Sequence, residues 1–67
     1  MDKPVTLASY SNIQEASIIR GMLESNGIPA MISDSNNLYV PVFGGVAVIV
    51  DEKDAARAEA LLKENGD

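Results

Sequence analysis

The residues able to perform chemistry in this sequence are carboxylates and hydroxyls that lack an activating partner. The 67-residue chain contains no histidine and no cysteine, so the commonest general base and the thiol nucleophile are both missing. Carboxylate pairs such as Asp51 with Asp54, or Glu15 with Glu24, fall on predicted helix caps and helix surfaces, where capping and solvation are their usual roles. The serines have no imidazole beside them: Ser9, Ser11, Ser17, Ser25, Ser33 and Ser35. The sequence therefore predicts a protein that is not an enzyme.

Two short motifs resemble a calcium loop and a phosphate loop, but neither meets the requirements of the site that it resembles. The stretch DSNNLY, residues 34–39, begins like a calcium loop, but Leu38 stands at its fifth position and no glycine follows. Gly44 and Gly45 precede a predicted strand rather than a helix, so they do not form a phosphate loop. They favour a backbone turn, or a close approach that excludes a Cβ atom. Neither motif predicts a metal or a cofactor.

Composition narrows the class of partner. The net charge is −5, and five basic residues are scattered among ten acidic ones, which argues against nucleic acid and anionic membranes. No apolar run approaches the roughly 20 residues of a membrane span, and the first residues lack the apolar core of a signal peptide. We expect a cytoplasmic protein. The length predicts one small domain, residues 1–67, whose limited core makes association with a partner a useful source of stability.

The pattern of apolar residues predicts three strands and two helices. The strands are Val5–Ser9, Ile28–Ser33 and Gly45–Val50. The first helix begins at SNIQ, with Ser11 and Gln14 as a capping box, and ends at Asn26-Gly27. The second is capped by Asp51 and ends at Asn65-Gly66. The apolar stripes are Ile13, Ala16, Ile19, Met22 and Leu23 in the first helix, and Ala55, Ala58, Leu61 and Leu62 in the second.

The order β-α-β-β-α indicates an α+β fold in which both helices cover one face of the sheet. A right-handed crossover between strands 1 and 2 leaves a gap that strand 3 fills, antiparallel to both. The expected architecture is a ferredoxin-like α/β plait with strand order 1-3-2 and no fourth strand.

The other face of this sheet is open, and the pattern gives it no charge. Strict alternation turns Val5 and Leu7 toward the helices. It places on the open face Thr6, Ala8, Tyr10, Ala47 and Ile49, with either Met31 or Ile32. Because a water-facing sheet normally carries polar groups, this face predicts a homo-oligomer, most simply a dimer.

The connection 34–45 is unusually apolar, with Leu38, Tyr39, Val40, Val42 and Phe43. It either packs on its own domain or contacts a partner or small effector. In both cases Tyr39 and Phe43 are not both free in solvent. The candidate interaction residues are Tyr10, Tyr39, Val42, Phe43, Gly44, Gly45 and Ile49.

Two stretches carry a family resemblance. They are VTLASYSNIQEASIIRGMLESNGIPAMISD and GGVAVIVDEKDAARAEALL. The chain resembles the small bacterial family described as putative prokaryotic signal transducing proteins, and the resemblance implies a PII-like plait fold and a signalling role. The long nucleotide-binding loop of true PII proteins is missing, so the resemblance implies neither ATP nor 2-oxoglutarate binding.

Together these features predict a non-enzymatic regulatory or interaction module that self-associates and binds a partner protein or a small effector. Two alternatives stay open. One is a peptidoglycan-associated plait domain, which would need a secretion signal or an anchor. The other is a small enzyme whose site is completed by assembly.

Overall fold

The computed structural model describes residues 2–34 and 45–66, which form three strands and two α-helices. The strands are β1 (Pro4–Tyr10), β2 (Ala30–Asp34) and β3 (Val46–Asp51). The helices are α1 (Ile13–Ser25) and α2 (Ala55–Gly66), and a 3₁₀ turn, Glu52–Asp54, precedes α2. The predicted order β-α-β-β-α is confirmed, with strand ends displaced by one or two residues. Strand β2 begins after Pro29 because proline has no N–H to donate to a ladder.

The sheet has the predicted strand order β1-β3-β2, and β3 pairs antiparallel with both neighbours. Its helix-covered face forms the core with both helices. The fully buried side chains of β3 are Val48 and Val50, and they cluster with Leu23 of α1 and Ala58 of α2. The chain is therefore a plait of the α+β class, with both helices packed on the same side of the sheet.

The start of α1 differs by one residue from the prediction. Asn12, not Ser11, is the N-cap: its backbone is extended and its Oδ1 accepts a hydrogen bond of 2.8 Å from the Glu15 N–H. Both Ser11 and Asn12 have a Gln or Glu three residues later, so the capping pattern fits either one. Ile13, predicted to lie on the buried stripe, occupies the first position of the helix and is 52% exposed.

The end of α1 matches the sequence. Gly27 has a φ of +81°, the left-handed conformation expected after Asn26. The Gly27 N–H donates to the Glu24 carbonyl at 3.0 Å, and the Ile28 N–H donates to the Leu23 carbonyl at 2.9 Å. This Schellman pattern satisfies two carbonyls of the last turn and sends the buried Ile28 into the core. Arg57 of α2 adds a third bond, from Nη2 to the Asn26 carbonyl at 2.8 Å.

Asp51 begins a helical segment as predicted, but it caps the 3₁₀ turn rather than α2 itself. Its two carboxylate oxygens accept hydrogen bonds from the Lys53 N–H and the Asp2 N–H, each at 3.2 Å. The adjacent Glu52 N–H donates to the Lys3 carbonyl at 2.8 Å. The residues before β1 are thus fastened to the junction between β3 and α2.

A bulge in β1 overturns part of the predicted alternation. The register pairs Thr6 with Ile49, but Ala8, two residues later in β1, pairs with Val48, so Leu7 is the additional residue. Beyond the bulge the faces exchange, and Ala8 and Tyr10 lie opposite the buried Val48 and Val46. Ala8 and Tyr10 are therefore on the helix-covered side, and the prediction that they lie on the open face is wrong.

Candidate interaction surface

The open face of the sheet consists of two transverse rows of side chains. Residues directly opposite one another in antiparallel strands share a face. Ile49 of β3 lies between Thr6 of β1 and Met31 of β2, and we call these three the Ile49 row. Two residues earlier in β3, Ala47 lies between Ser9 of β1 and Ser33 of β2, which form the Ala47 row. These six residues form the central part of the open face, and the paired residues Pro4 and Asp51, next along the same side of the strands, lie at the end away from the 34–45 connection.

The Ile49 and Ala47 rows are apolar at their centre, carry no charge, and are partly accessible to solvent. Met31 is 55% exposed, one of the largest exposures of any big hydrophobic side chain in the described ranges. Ile49 and Ala47 are half-buried, while Thr6 and Ser9 are exposed. The nearest acidic residue along β3 is Asp51, two residues beyond Ile49, and it is buried. A sheet face in water normally carries polar groups, whereas the centre of this one, Met31, Ile49 and Ala47, is apolar area available for contact.

At one end of the sheet Asp34 of β2 pairs with Val46 of β3, and these two residues flank the connection between β2 and β3. Both ends of that connection therefore meet at the same end of the sheet. The predicted interaction residues Tyr39, Val42, Phe43 and Gly44 lie outside the described residues, as does the prediction that Tyr39 and Phe43 are not both free.

At the same end of the sheet, the backbone of Gly45 lies close to the backbone of β1. Its φ is +91°, and a Cβ atom built on it would stand 2.7 Å from the Tyr10 carbonyl oxygen. Real Cβ atoms do not approach an oxygen so closely, and L-residues with side chains rarely adopt such a φ. The predicted close approach that excludes a Cβ atom is thus confirmed for Gly45.

Tyr10 belongs to the other side of the sheet from the candidate surface. Its ring packs against the core cluster. Burial, and secondly the negative charge of Glu15, raises the pKa of its hydroxyl above the ordinary value. Of the predicted interaction residues, Ile49 lies on the open face and Gly45 at its end, while Tyr10 faces the helices.

Sequence reasoning did not assign Ser9 and Ser33 to the surface, and it left Met31 and Ile32 as alternatives. The structure selects Met31, because Ile32 pairs with the buried Val48 and packs against the core. The signal for Ser9 is present in the sequence PVTLASY. Its two hydroxyl residues, Thr6 and Ser9, are three positions apart rather than two, which is the spacing that one bulged residue produces.

Within 2–34 and 45–66, no three acidic side chains come together in a way that could hold a metal ion. In the same ranges no helix has the length and apolar character needed to cross a membrane.

The described residues define a small plait domain in which both helices lie on one side of the sheet. A family model described as "Putative prokaryotic signal transducing protein" matches residues 5–66, nearly the whole chain, so the protein belongs to that family. No curated protein and no solved structure gives a significant match.

Proposed function

We propose that the protein is a non-enzymatic regulatory module that self-associates through its open face, with the 34–45 segment extending the contact. The observation that carries the proposal is the absence of charge in the two central rows of that face in a chain of net charge −5. A second copy has the same negative charge. Repulsion between two copies is weakest where neither surface carries charge, and the two central rows of the open face are such a region.

The size of the sheet explains why the 34–45 segment is included. Three strands of about six residues cover roughly 14 by 20 Å, well below the roughly 800 Å² per partner of a standard interface. The connection between β2 and β3 leaves and re-enters the sheet beside the Ala47 row, since Asp34 pairs with Val46. Its five large apolar residues would add the missing area.

The family description supports a regulatory role. We propose that a partner protein or a small effector uses the same surface and so changes the degree of self-association. A ligand present at 100 times its dissociation constant would add about 2.7 kcal/mol to the free energy of unfolding. Thermal denaturation in the presence of a metabolite panel would detect an effector of that strength.

Sedimentation equilibrium over a wide concentration range tests the self-association. The unmodified chain should show a concentration-dependent dimer. Ile49→Lys, which places a charge at the centre of the open face, should be monomeric. Ile18→Lys is the matched control, because Ile18 is 71% exposed on α1, in the helix layer on the other side of the sheet.

The proposal fails if the unmodified chain is a monomer at high micromolar concentration. It also fails if Ile18→Lys dissociates the dimer and Ile49→Lys does not. Far-UV circular dichroism of each variant establishes that the fold is retained.

A further inference from the structure

The two rows of the open face differ in size, and the difference determines how a second copy fits. The Ile49 row contains the larger side chains, Thr6, Ile49 and Met31, while the Ala47 row contains Ser9, Ala47 and Ser33. The surface is therefore a ridge beside a shallow groove, both running across the strands. Packed layers interdigitate when large side chains face small ones.

We infer that two copies meet face to face about a two-fold axis that lies between the two sheets, runs perpendicular to the strands and passes over Val48. The Ile49 row of each copy then lies on the Ala47 row of the other. This geometry rests on the proposed self-association. Val48 lies between Ala47 and Ile49 in β3, and its own side chain is fully buried on the opposite face. Rotation about this axis carries each row onto the position of the other. The surface is thus complementary to itself, as an isologous interface requires.

Each contact in this arrangement joins a larger residue to a smaller one. Ile49 lies over Ala47 of the second copy, Met31 over its Ser33, and Thr6 over its Ser9. The polar residues meet at the β1 side, where hydroxyl groups can bond to each other. The strands of the two sheets run antiparallel across the interface, within about 30° of alignment, as in a β-sandwich.

The competing arrangement has its two-fold axis parallel to the strands. In that geometry each row faces itself, so Ile49 meets Ile49 and Ala47 meets Ala47, while Met31 lies over Thr6. The two Ile49 rows, in contact with each other, would then keep the sheets from reaching their usual spacing of about 10 Å. Between the Ala47 rows a gap would remain, and such a gap loses packing contacts.

Mixing experiments with complementary charges distinguish the two arrangements. Met31→Lys and Ser33→Glu proteins are each measured alone and then as an equimolar mixture. Alone, each should associate at least about tenfold more weakly than the unmodified chain, because a charge is buried without a partner. In the mixture the introduced ammonium group of one chain meets the introduced carboxylate of the other, so a heterodimer should form with much of the original affinity restored.

The control mixture combines the same Met31→Lys protein with Thr6→Glu, and these two introduced charges would meet only if the axis were parallel to the strands. We expect no recovery in this mixture. Recovery here and not in the first mixture would overturn the inferred arrangement, as would recovery in neither, or a Met31→Lys protein that dimerises normally. Ile49→Lys mixed with Ala47→Glu repeats the test at the central strand if an edge variant fails to fold. A monomeric unmodified chain would instead defeat the proposed function.

Discussion

Two residues fix the ends of β3, and neither acts through a large side chain. Gly45 allows the backbone to approach β1, since a Cβ atom there would lie 2.7 Å from the Tyr10 carbonyl oxygen. Asp51, at the other end, is a buried acidic residue whose two carboxylate oxygens accept backbone hydrogen bonds from Asp2 and Lys53. At one end, the central strand can therefore approach β1 because Gly45 has no side chain. At the other end, the carboxylate of Asp51 holds the strand through hydrogen bonds.

Replacing Gly45 by alanine should destabilise the protein. The new methyl group would require both an unfavourable φ and a displacement of the Tyr10 carbonyl, and we expect a loss of about 1–3 kcal/mol in the free energy of unfolding. Urea denaturation measures the change. Gly21→Ala is the control, because no atom lies within 4 Å of its Cβ position on α1. That variant should gain up to about 1 kcal/mol. Equal effects of the two substitutions would show that the close approach is unimportant.

Stability should decrease in acid through Asp51. The hydrogen bond from the Lys53 N–H is the largest cause that holds the pKa of Asp51 below its ordinary value, aided by the Asp2 N–H and the Lys53 charge, while burial opposes them. The unfolded chain has the higher pKa, about 3.9. The stabilisation is thus present above that value and is lost as the pH falls through the lower value of the folded state.

Asp51→Asn isolates this contribution. The variant should be less stable than the unmodified chain at pH 7, because the amide presents one acceptor oxygen instead of two. The difference between the two proteins should shrink as the pH falls below about 4, the range in which the folded-state carboxylate takes up its proton. Thermal denaturation at a series of pH values checks this, and a difference that stays constant would argue against the carboxylate.

The elements are attached to the core to different extents. Strand β3 is covered on both sides by neighbouring strands, and α1 contributes the fully buried Leu23. Among the described residues of α2, only Ala58 is fully buried, with Ala55 and Leu61 partly buried against the core. Arg57 links α2 to the end of α1 through the Asn26 carbonyl. With little apolar area to hold it, α2 should open more readily than the rest.

Hydrogen exchange should therefore show faster opening of α2 than of β3, with Val48 and Ile49 the slowest amides. Arg57→Ala should accelerate exchange in α2 by about two- to fivefold, the effect of losing about 0.5–1 kcal/mol of hydrogen bonding, and leave β3 unchanged. Arg20→Ala removes a comparable exposed arginine, paired with Glu24 on α1 at 3.5 Å, and should not affect α2. If Arg57→Ala accelerates β3 equally, the two elements open together.

The helices and strands were predictable from the sequence, but the change of face within β1 was not. Helical spacing, the Asn26-Gly27 signal and the run 46–50, which is rich in β-branched residues, each determine local structure, and the right-handed crossover then determined the strand order. The bulge at Leu7 depends on pairing with β3, and strict alternation along β1 therefore misplaced Ala8 and Tyr10. The helix cap was ambiguous for a different reason, because Ser11 and Asn12 are both good capping residues in the same pattern.

At the scale of the whole molecule, most charged groups lie apart from the apolar centre of the open face. The chain has a net charge of −5, yet the two central rows of the open face, where β1, β3 and β2 present six side chains, have none. The charged groups lie on the helices, at strand ends and at the junctions between elements, and they include the Lys3–Glu52 and Arg20–Glu24 pairs. Repulsion between two copies is therefore long-range, whereas their attraction through the open face is short-range and apolar.

Self-association should consequently strengthen as salt is added. The Debye length falls from about 30 Å at 0.01 M ionic strength to about 8 Å at 0.15 M, so repulsion between the two negative chains is screened while apolar contact is preserved. Sedimentation equilibrium should show a dissociation constant several-fold lower at the higher salt concentration. Glu59→Gln removes one negative charge from the exposed surface of α2, away from the open face. It should tighten the dimer at low salt and have little effect at high salt. Association that weakens with salt would mean that ion pairs join the copies, and the uncharged face could not then be their main contact.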